Sequence, residues 1–234
     1  MENLSVLYHW NTSMQFGGDI VDRDKISKFK INRNTIENEN TLKLEEYNID
    51  FLKKRRTIRE FNEGSTLSFK ELSTLLNNSI RQEIILKDIK CPSPSAGALY
   101  PIDTYILVNN SEGINTGIYF YNPLEHSLIY YKKIEEHKLW ENAFLNQSFT
   151  NQEKYCISII FMLDIDAISC KYGERGYRYA LLEAGHISQN LQLISSDLNL
   201  LSVPVGGYID SEINELLELS YDKYLPLYAV FIGK

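Results

Sequence analysis

The sequence predicts an α+β fold, because segments with helix patterns and segments with strand patterns follow one another in a mixed order. Three observations carry this prediction. A capped amphipathic segment begins at Ser68, an almost continuously apolar run covers 155–163, and a long mixed polar and apolar segment covers 176–197. The first and last are typical of helices. The apolar run is typical of a central strand that is covered on both faces.

The N-terminal part of the chain differs from the rest. Residues 1 to about 50 are polar, include the Asn-rich stretch 32–40 and show little periodicity. We expect them to form an extended arm that packs on a body formed by residues 51–234.

The elements of the body can be predicted in order. Ser68-Phe-Lys-Glu71 is a capping box, and three leucines, Leu72, Leu75 and Leu76, form the apolar face of a helix that ends near Asn78. Strands are predicted at 103–108 and 225–232, and a hairpin over 117–131 around an Asn-Pro turn. Short helices are predicted at 135–145 and 211–217.

Composition excludes several classes of function. The chain has 234 residues, 44% hydrophobic content and a net charge of -7, which is ordinary for one globular domain and argues against a nucleic-acid binder. Met1 to Trp10 lacks the pattern of a secretory signal. The run 155–163 is too short for a bilayer, which needs about 20 residues, so we expect no membrane partner.

Cysteine and histidine positions predict neither disulfides nor a metal site. The three cysteines, Cys91, Cys156 and Cys170, have no metal-like spacing, which indicates a reducing, cytoplasmic setting. Glu183 and His186 share a helix face but have no third ligand nearby, so a hydrogen-bonded pair at a helix–helix contact is the better interpretation. The other histidines show no partner pattern.

The segment that begins with Lys171-Tyr172 is the most informative part of the chain. An ammonium group beside a phenol favours the phenolate, so adjacent Lys and Tyr side chains are candidates for coupled proton transfer. The cationic and aromatic residues that follow lead into the long helix. The alternative is that both side chains lie at a solvated helix start without a chemical role.

Three other motifs have the composition of a ligand site. The basic cluster Lys53-Lys-Arg-Arg-Thr-Ile-Arg59 suits a phosphate monoester, although a solvated basic turn is the alternative. The small residues in 91–101 would let the backbone approach a flat ligand closely; the alternative is that this segment is only a structural loop. Val203-Pro-Val-Gly-Gly-Tyr208 either forms a turn or presents backbone donors to the edge of a planar cofactor.

Five motifs in this order resemble the nitroreductase-like flavoproteins, and more narrowly the SagB/McbC-type dehydrogenases that oxidise azolines in ribosomal peptides. The resemblance covers roughly residues 50 to 234. Its motifs are Arg55-Arg-Thr-Ile-Arg-Glu-Phe61, Pro94-Ser-Ala-Gly-Ala-Leu-Tyr-Pro101, Lys171-Tyr-Gly-Glu-Arg-Gly-Tyr-Arg-Tyr179, Glu183-Ala-Gly-His-Ile-Ser-Gln-Asn190 and Pro204-Val-Gly-Gly-Tyr208.

The resemblance implies an FMN-binding fold with a mostly antiparallel central sheet flanked by helices. It also implies a homodimer with one FMN at each of two subunit interfaces, in which the helix carrying Gln189 and Asn190 is the main dimer helix. By the same resemblance, the FMN phosphate and ribityl chain are held by Arg55, Arg56, Thr57 and Arg59. The loop of Pro94, Ser95, Ala96 and Gly97 reaches the isoalloxazine from the partner subunit, and Pro204, Val205, Gly206 and Gly207 contact the reactive edge of the ring.

The resemblance further implies that Lys171 and Tyr172 are the catalytic pair of an FMN-dependent azoline dehydrogenase. Its substrate would be a thiazoline or oxazoline in a precursor peptide, and a cyclodehydratase complex would be its partner. Two alternatives stay open. One is an NAD(P)H-dependent nitro- or ene-reductase on the same fold, and the other is a non-catalytic, flavin-bound scaffold of a cyclodehydratase complex.

Overall fold

The fold is known from a computed structural model that describes residues 4–12, 42–134 and 137–234. The Asn-rich stretch 32–40, most of the expected arm and the first two residues of the helix predicted at 135–145 lie outside the described residues. The helices are α1 (Leu4–Thr12), α2 (Asp50–Lys54), α3 (Phe69–Ser79), α4 (His137–Ala143), α5 (Ile165–Tyr172), α6 (Arg175–Asp197) and α7 (Asp210–Leu217). The strands are β1 (Glu83–Ile85), β2 (Asp88–Lys90), β3 (Ile102–Val108), β4 (Gly117–Asn122), β5 (Ser127–Lys132), β6 (Ile157–Asp164), β7 (Leu201–Val205) and β8 (Tyr224–Gly233).

A six-stranded antiparallel sheet forms the centre of the molecule, with the strand order β5-β4-β3-β6-β8-β7. The apolar run at 155–163 supplies β6, whose residues are buried from Ile157 to Leu163. Because β6 is central, both of its faces need apolar side chains. The predicted α+β class with an antiparallel sheet flanked by helices is confirmed.

The two faces of the sheet carry separate cores. Alternate β6 residues such as Ile159 and Phe161 pack with the apolar residues of α3, α5 and α6. Ile160 and Met162 point to the other face, where they pack with apolar residues of α4 and α7. The period of two along β6 therefore places α6, the longest helix, on one face and α7 on the other.

Several predicted elements are confirmed. The capping box at Ser68 is present, with Ser68 Oγ accepting from Glu71 N–H and Glu71 accepting from Ser68 N–H. The long helix, the hairpin and the closing strand also form where they were predicted, to within a few residues. Cys156 is fully buried, as expected of a small apolar residue, and all three cysteines are free.

One local prediction is wrong, and two elements were not predicted. Leu4–Thr12 is helical rather than extended. Residues 165–172, which had no assigned element, form α5. Leu201–Val205, which also had no assigned element, form the strand β7. Pro204 made this strand hard to predict, but among the described strands β7 pairs with β8 alone, at the edge of the sheet, where a residue without an N–H is tolerated.

None of the helices within the described ranges is long and apolar enough to cross a membrane. Within the same ranges, no group of three or more His, Cys, Asp or Glu side chains is arranged to hold a metal ion.

Candidate active site

Lys171 and Tyr172 form the last turn of α5, at the corner between α5 and α6. Asp164 begins α5 by accepting hydrogen bonds from the N–H groups of Asp166 and Ala167. Gly173 ends it with a φ of 54°, a conformation that favours glycine. The corner is tight, since a Cβ on Gly176 would lie 2.8 Å from Cγ2 of Ile168.

The loop of small residues lies against this corner. A Cβ atom on Gly97 would lie 2.6 Å from Lys171 Nζ and 2.7 Å from Tyr172 Oη, so both polar atoms approach the same point. Gly97 also has a φ of 62°. Both the backbone conformation and the close approach favour glycine here. Two motifs that are more than seventy residues apart in sequence thus meet at one place.

Helix α6 fixes this loop through two hydrogen bonds. Ser95 Oγ donates to Glu183 Oε2 at 2.5 Å and accepts from Tyr100 N–H at 2.9 Å. Further along α6, Asn190 Nδ2 donates to Ser93 Oγ at 3.0 Å. The pairing expected for Glu183 with His186 is wrong, because Glu183 is buried against the loop while His186 is exposed.

Glu183 is a buried acid beside the proposed catalytic pair. It is only 3% exposed. Burial raises the pKa of the Glu183 carboxyl to about 7, and the hydrogen bond from Ser95 opposes this rise. Its charge in turn contributes to the raised pKa values of Cys91 and Tyr100, although burial is the larger cause for both. Sequence patterns alone did not identify Glu183 as the residue that holds the loop.

The basic cluster lies beside β7 and the C-terminal half of α6. Ile58 N–H donates to Ser202 O at 3.0 Å, which holds the cluster along the edge strand. Arg55 Nη1 reaches the neutral groups Thr57 Oγ1 at 3.3 Å and Gln192 Oε1 at 3.4 Å. Arg56 and Arg59 are exposed. No carboxylate among the described residues pairs with these three arginines, which leaves their charge available to an anion.

The Gly-Gly segment leaves the end of β7. Pro204 pairs with Val230 and Val205 with Ala229, whereas Gly206 and Gly207 lie beyond the strand. Gly206 is exposed, and a Cβ there would lie 3.5 Å from the Tyr228 ring, in ordinary contact. The backbone of this segment can therefore be approached by a ligand.

The candidate residues form two separate groups, which we call the two halves of the candidate site. The pair half comprises Lys171, Tyr172 and the loop 94–97, which meet at Gly97. The phosphate half comprises the cluster 55–59 and the segment 204–207, which both adjoin β7. Across the described part of the chain, no hydrogen bond or ion pair joins the two halves directly.

Sequence reasoning missed one buried polar cluster beside these halves. His9 Nδ1 lies 2.9 Å from Tyr177 Oη, and His9 Nε2 lies 3.0 Å from Asp210 Oδ1. The three residues and Gly206 line a small cavity of about 130 Å³. Burial, with a smaller contribution from the charge of Asp210, raises the pKa of Tyr177 to about 12. No local signal marks this cluster, because even the nearer partner, Tyr177, is 168 residues away from His9 in sequence.

Comparisons with known proteins agree with this architecture. The nitroreductase family profile matches residues 52–234. A Methanocaldococcus jannaschii protein named as a nitroreductase, MJ1384, is 34% identical over 187 residues, which cover 79% of this chain and 89% of that protein. The microcin B17-processing protein McbC of Escherichia coli is 28% identical over 177 residues, which cover 74% of this chain but 64% of McbC.

Solved structures show the same fold. A chain of the E. coli microcin synthetase McbBCD complex with truncated pro-MccB17 bound matches with a TM-score of 0.77 and 22% identity, over 100% of this chain and 94% of the other. A nitroreductase homologue from Desulfovibrio desulfuricans, solved in complex with FMN, matches with a TM-score of 0.54 and 16% identity, over 80% and 87% of the two chains. The resemblance inferred from the five motifs is confirmed. The chain therefore belongs to the nitroreductase family.

Proposed function

We propose that the protein is an FMN-dependent dehydrogenase that oxidises thiazoline or oxazoline rings in a ribosomally made peptide to thiazoles or oxazoles. One observation carries this proposal: Lys171 Nζ and Tyr172 Oη converge on the backbone of Gly97. That convergence puts a proton acceptor, and a cation to stabilise it, at the loop that the family resemblance assigns to the flavin ring. The similarity to McbC points to the same substrate class.

The residues present fit FMN. An elongated ligand with a phosphate at one end and a ring at the other needs cations at one place and accessible backbone at another. The cluster 55–59 is hydrogen-bonded to Ser202 through Ile58 and offers guanidinium groups that pair with no carboxylate of the described residues. Gly206 offers exposed backbone four residues after Ser202. Four residues of extended chain span roughly 13 Å. Arg55, Arg56, Thr57 and Arg59 would hold the phosphate and ribityl chain, and 204–207 would border the ring.

The proposed chemistry removes a proton and a hydride from adjacent ring carbons. When bound, FMN supplies the two-electron oxidation by accepting the hydride. Tyr172 Oη, as phenolate, takes the proton from the former α-carbon, which is acidic because an imine-like nitrogen and a carbonyl flank it. The Lys171 ammonium stabilises the negative charge on that oxygen. Tyr172 is held in place by an edge-to-face contact with Tyr179, with ring centroids 5.0 Å apart.

The separation of the two halves favours a homodimer. Loop 94–97 lies against Lys171 and Tyr172. If the loop reaches the ring of the partner subunit, these two side chains therefore reach it as well. The long helix α6 offers an apolar surface for this contact, since Leu181 is 41% and Leu182 is 56% exposed. A cyclodehydratase complex and its precursor peptide are the further partners that we propose, because the matching McbBCD structure contains a synthetase complex with bound peptide.

The test begins with the visible spectrum of the purified protein and identification of any released chromophore. We expect FMN at about one per subunit. The holoenzyme is then incubated with a synthetic peptide that contains a thiazoline, with and without a cyclodehydratase. Mass spectrometry should show the loss of two hydrogen atoms per ring.

Other outcomes would select the alternatives. Rapid bleaching of the flavin by NADPH, with no change in the azoline peptide, would favour a nitro- or ene-reductase. Azole formation that needs the complex but survives Lys171→Ala would favour a flavin-bound scaffold. A colourless protein that takes up no added FMN would contradict the proposal entirely.

A further inference from the structure

Helix α1 lies outside the region that the family profile matches, yet it contacts residues that adjoin both halves of the candidate site. Its first turn binds the turn that follows Tyr172. His9, in its second half, binds Tyr177 of α6 and Asp210 of α7, the helix that follows the Gly206–Gly207 segment. The contacts of His9 are polar and buried, so α1 does more than cover an apolar surface.

The contact next to the pair half is made through Glu174. This residue lies in the turn between α5 and α6, two positions after Tyr172. Its carboxylate accepts hydrogen bonds from Leu4 N–H at 2.9 Å and Ser5 N–H at 2.5 Å, and Ser5 Oγ also donates to Glu174 O at 2.8 Å. The carboxylate thus caps the first turn of α1, where it satisfies N–H groups that have no helical partner.

The contact next to the phosphate half is made through His9. Its ring is enclosed between Tyr177, at the start of α6, and Asp210, at the start of α7, and all three residues are less than 10% exposed. Asp210 follows the segment that begins with Gly206 and Gly207, and Gly206 borders the same cavity as His9. The position of His9 therefore affects the backbone conformation of this segment.

We propose that α1 is a positioning element of the active site, in which His9 fixes the Gly206–Gly207 segment relative to the corner that carries Lys171 and Tyr172. His9 acts through Tyr177 and Asp210 rather than by touching the reacting atoms. The inference rests on the proposed function for its activity readout. It extends that function by giving helix α1 a role in turnover.

The test compares His9→Ala with Leu7→Ala in the full-length holoenzyme. Leu7 lies on the same helix, is 46% exposed and serves as the matched control. Hydrogen exchange should become about tenfold faster at the amides of 206–209 and 174–177 in His9→Ala, but not in the control. The kcat for the azoline peptide should fall about tenfold, while the KM for the peptide and the bound FMN change little.

Several results would overturn the inference. Unchanged exchange at 206–209 would show that His9 does not hold the segment, and wild-type kcat despite faster exchange would show that its role is structural only. Faster exchange in the central strands β3 and β6 would indicate global unfolding. In that case Asp210→Asn, which keeps the side-chain shape, must reproduce the fall in kcat, and full activity in that variant rejects the inference.

The test separates this inference from the proposed function. If the wild-type protein binds FMN but does not oxidise azolines, a shift of the absorption maximum of bound FMN in His9→Ala, absent from Leu7→Ala, still supports positioning of the segment. If the wild-type protein binds no FMN, the proposed function fails, and hydrogen exchange in the apoprotein decides alone whether His9 holds residues 206–209.

Discussion

The two halves of the site differ in how far the chain itself fixes their geometry. In the pair half, Lys171 and Tyr172 close on Gly97, and α6 holds the loop through Glu183 and Asn190. In the phosphate half, the arginines are half-buried or exposed, and Arg55 makes only long hydrogen bonds to neutral groups.

This difference matches the chemistry proposed for each half. A group that moves a proton must be held at a defined position before substrate binds, because misplacement raises the barrier. Cations that bind a phosphate can take their final arrangement when the anion arrives, since the ion pairs then form with the ligand itself. The comparison therefore predicts that variants of the pair half affect turnover and that variants of the phosphate half affect affinity for FMN.

The largest effect is expected for Tyr172→Phe, which removes the proposed proton acceptor and keeps the ring. Azole formation should fall at least about 100-fold, as expected for loss of a general base, while FMN stays bound. Single-turnover assays with the thiazoline peptide measure this. Tyr179→Phe, which removes the hydroxyl of the neighbouring ring, is the control and should remain active. Wild-type turnover in Tyr172→Phe would remove Tyr172 from the mechanism.

Arg55→Ala should weaken FMN binding by about 10- to 100-fold, because a hydrogen bond to a charged group contributes roughly 1.5–3 kcal/mol. The kcat at saturating FMN should change little. Fluorescence titration of the apoprotein with FMN gives the affinity. Lys54→Ala is the matched control, because Lys54 is an exposed residue of the same basic cluster that lies next to Arg55 but outside the family motif 55–61. Equal losses in the two variants would mean that the cluster acts only through its net charge.

Gly97→Ala should lower kcat roughly tenfold and leave the affinity for FMN nearly unchanged. The methyl group would meet Lys171 Nζ and Tyr172 Oη, and the left-handed backbone costs a further ~1–2 kcal/mol of stability. Gly113→Ala is the control, because its φ of 72° carries the same strain but nothing lies within 4 Å of the added Cβ. Steady-state kinetics and thermal unfolding separate the two effects. Equal activity of both variants would show that contact at Gly97 is unimportant.

Glu183→Gln tests whether Glu183 supports the loop 94–97. The effect of this variant on the free energy of unfolding should be smallest near pH 5. Burial raises the pKa of Glu183 from its ordinary value of 4.5 to about 7 in the folded protein, so between these values the folded state binds more protons than the unfolded state. The stability of the wild-type protein therefore falls as pH rises through this range. The rise corresponds to roughly 3 kcal/mol at most.

The amide of Glu183→Gln does not titrate, so this part of the pH dependence should disappear. Urea unfolding from pH 4.5 to about 7.5 measures it. The slope of the unfolding free energy against pH has to be compared with that of the wild-type protein. Burial also raises the pKa of Asp103, to about 6, and this adds a slope of the same sign in both proteins. Glu215→Gln, at an exposed position of α7, should keep the wild-type dependence. An unchanged slope in Glu183→Gln would contradict the assignment.

Local patterns predicted much of the fold and the position of the motifs. The capping box at Ser68 and the apolar run of β6 are local features, so their elements were predicted correctly. The strand β7 was missed because Pro204 is unfavourable in most strands, and only the edge position in the sheet makes it acceptable. Edge position is a property of the whole sheet and is invisible in a window of sequence.

For the candidate site, the sequence by itself determined which chemical groups are present and how they are ordered along the chain. The basic cluster, the small-residue loop, the Lys–Tyr pair and the Gly-Gly segment are all legible in the sequence because side-chain chemistry is a property of each residue. Only the tertiary structure decided that Gly97 faces Lys171 and Tyr172, that Glu183 holds Ser95, and that His9 enters the body between Tyr177 and Asp210. These contacts join residues distant in sequence, and such contacts depend on how the helices pack on the sheet rather than on any local preference of the chain.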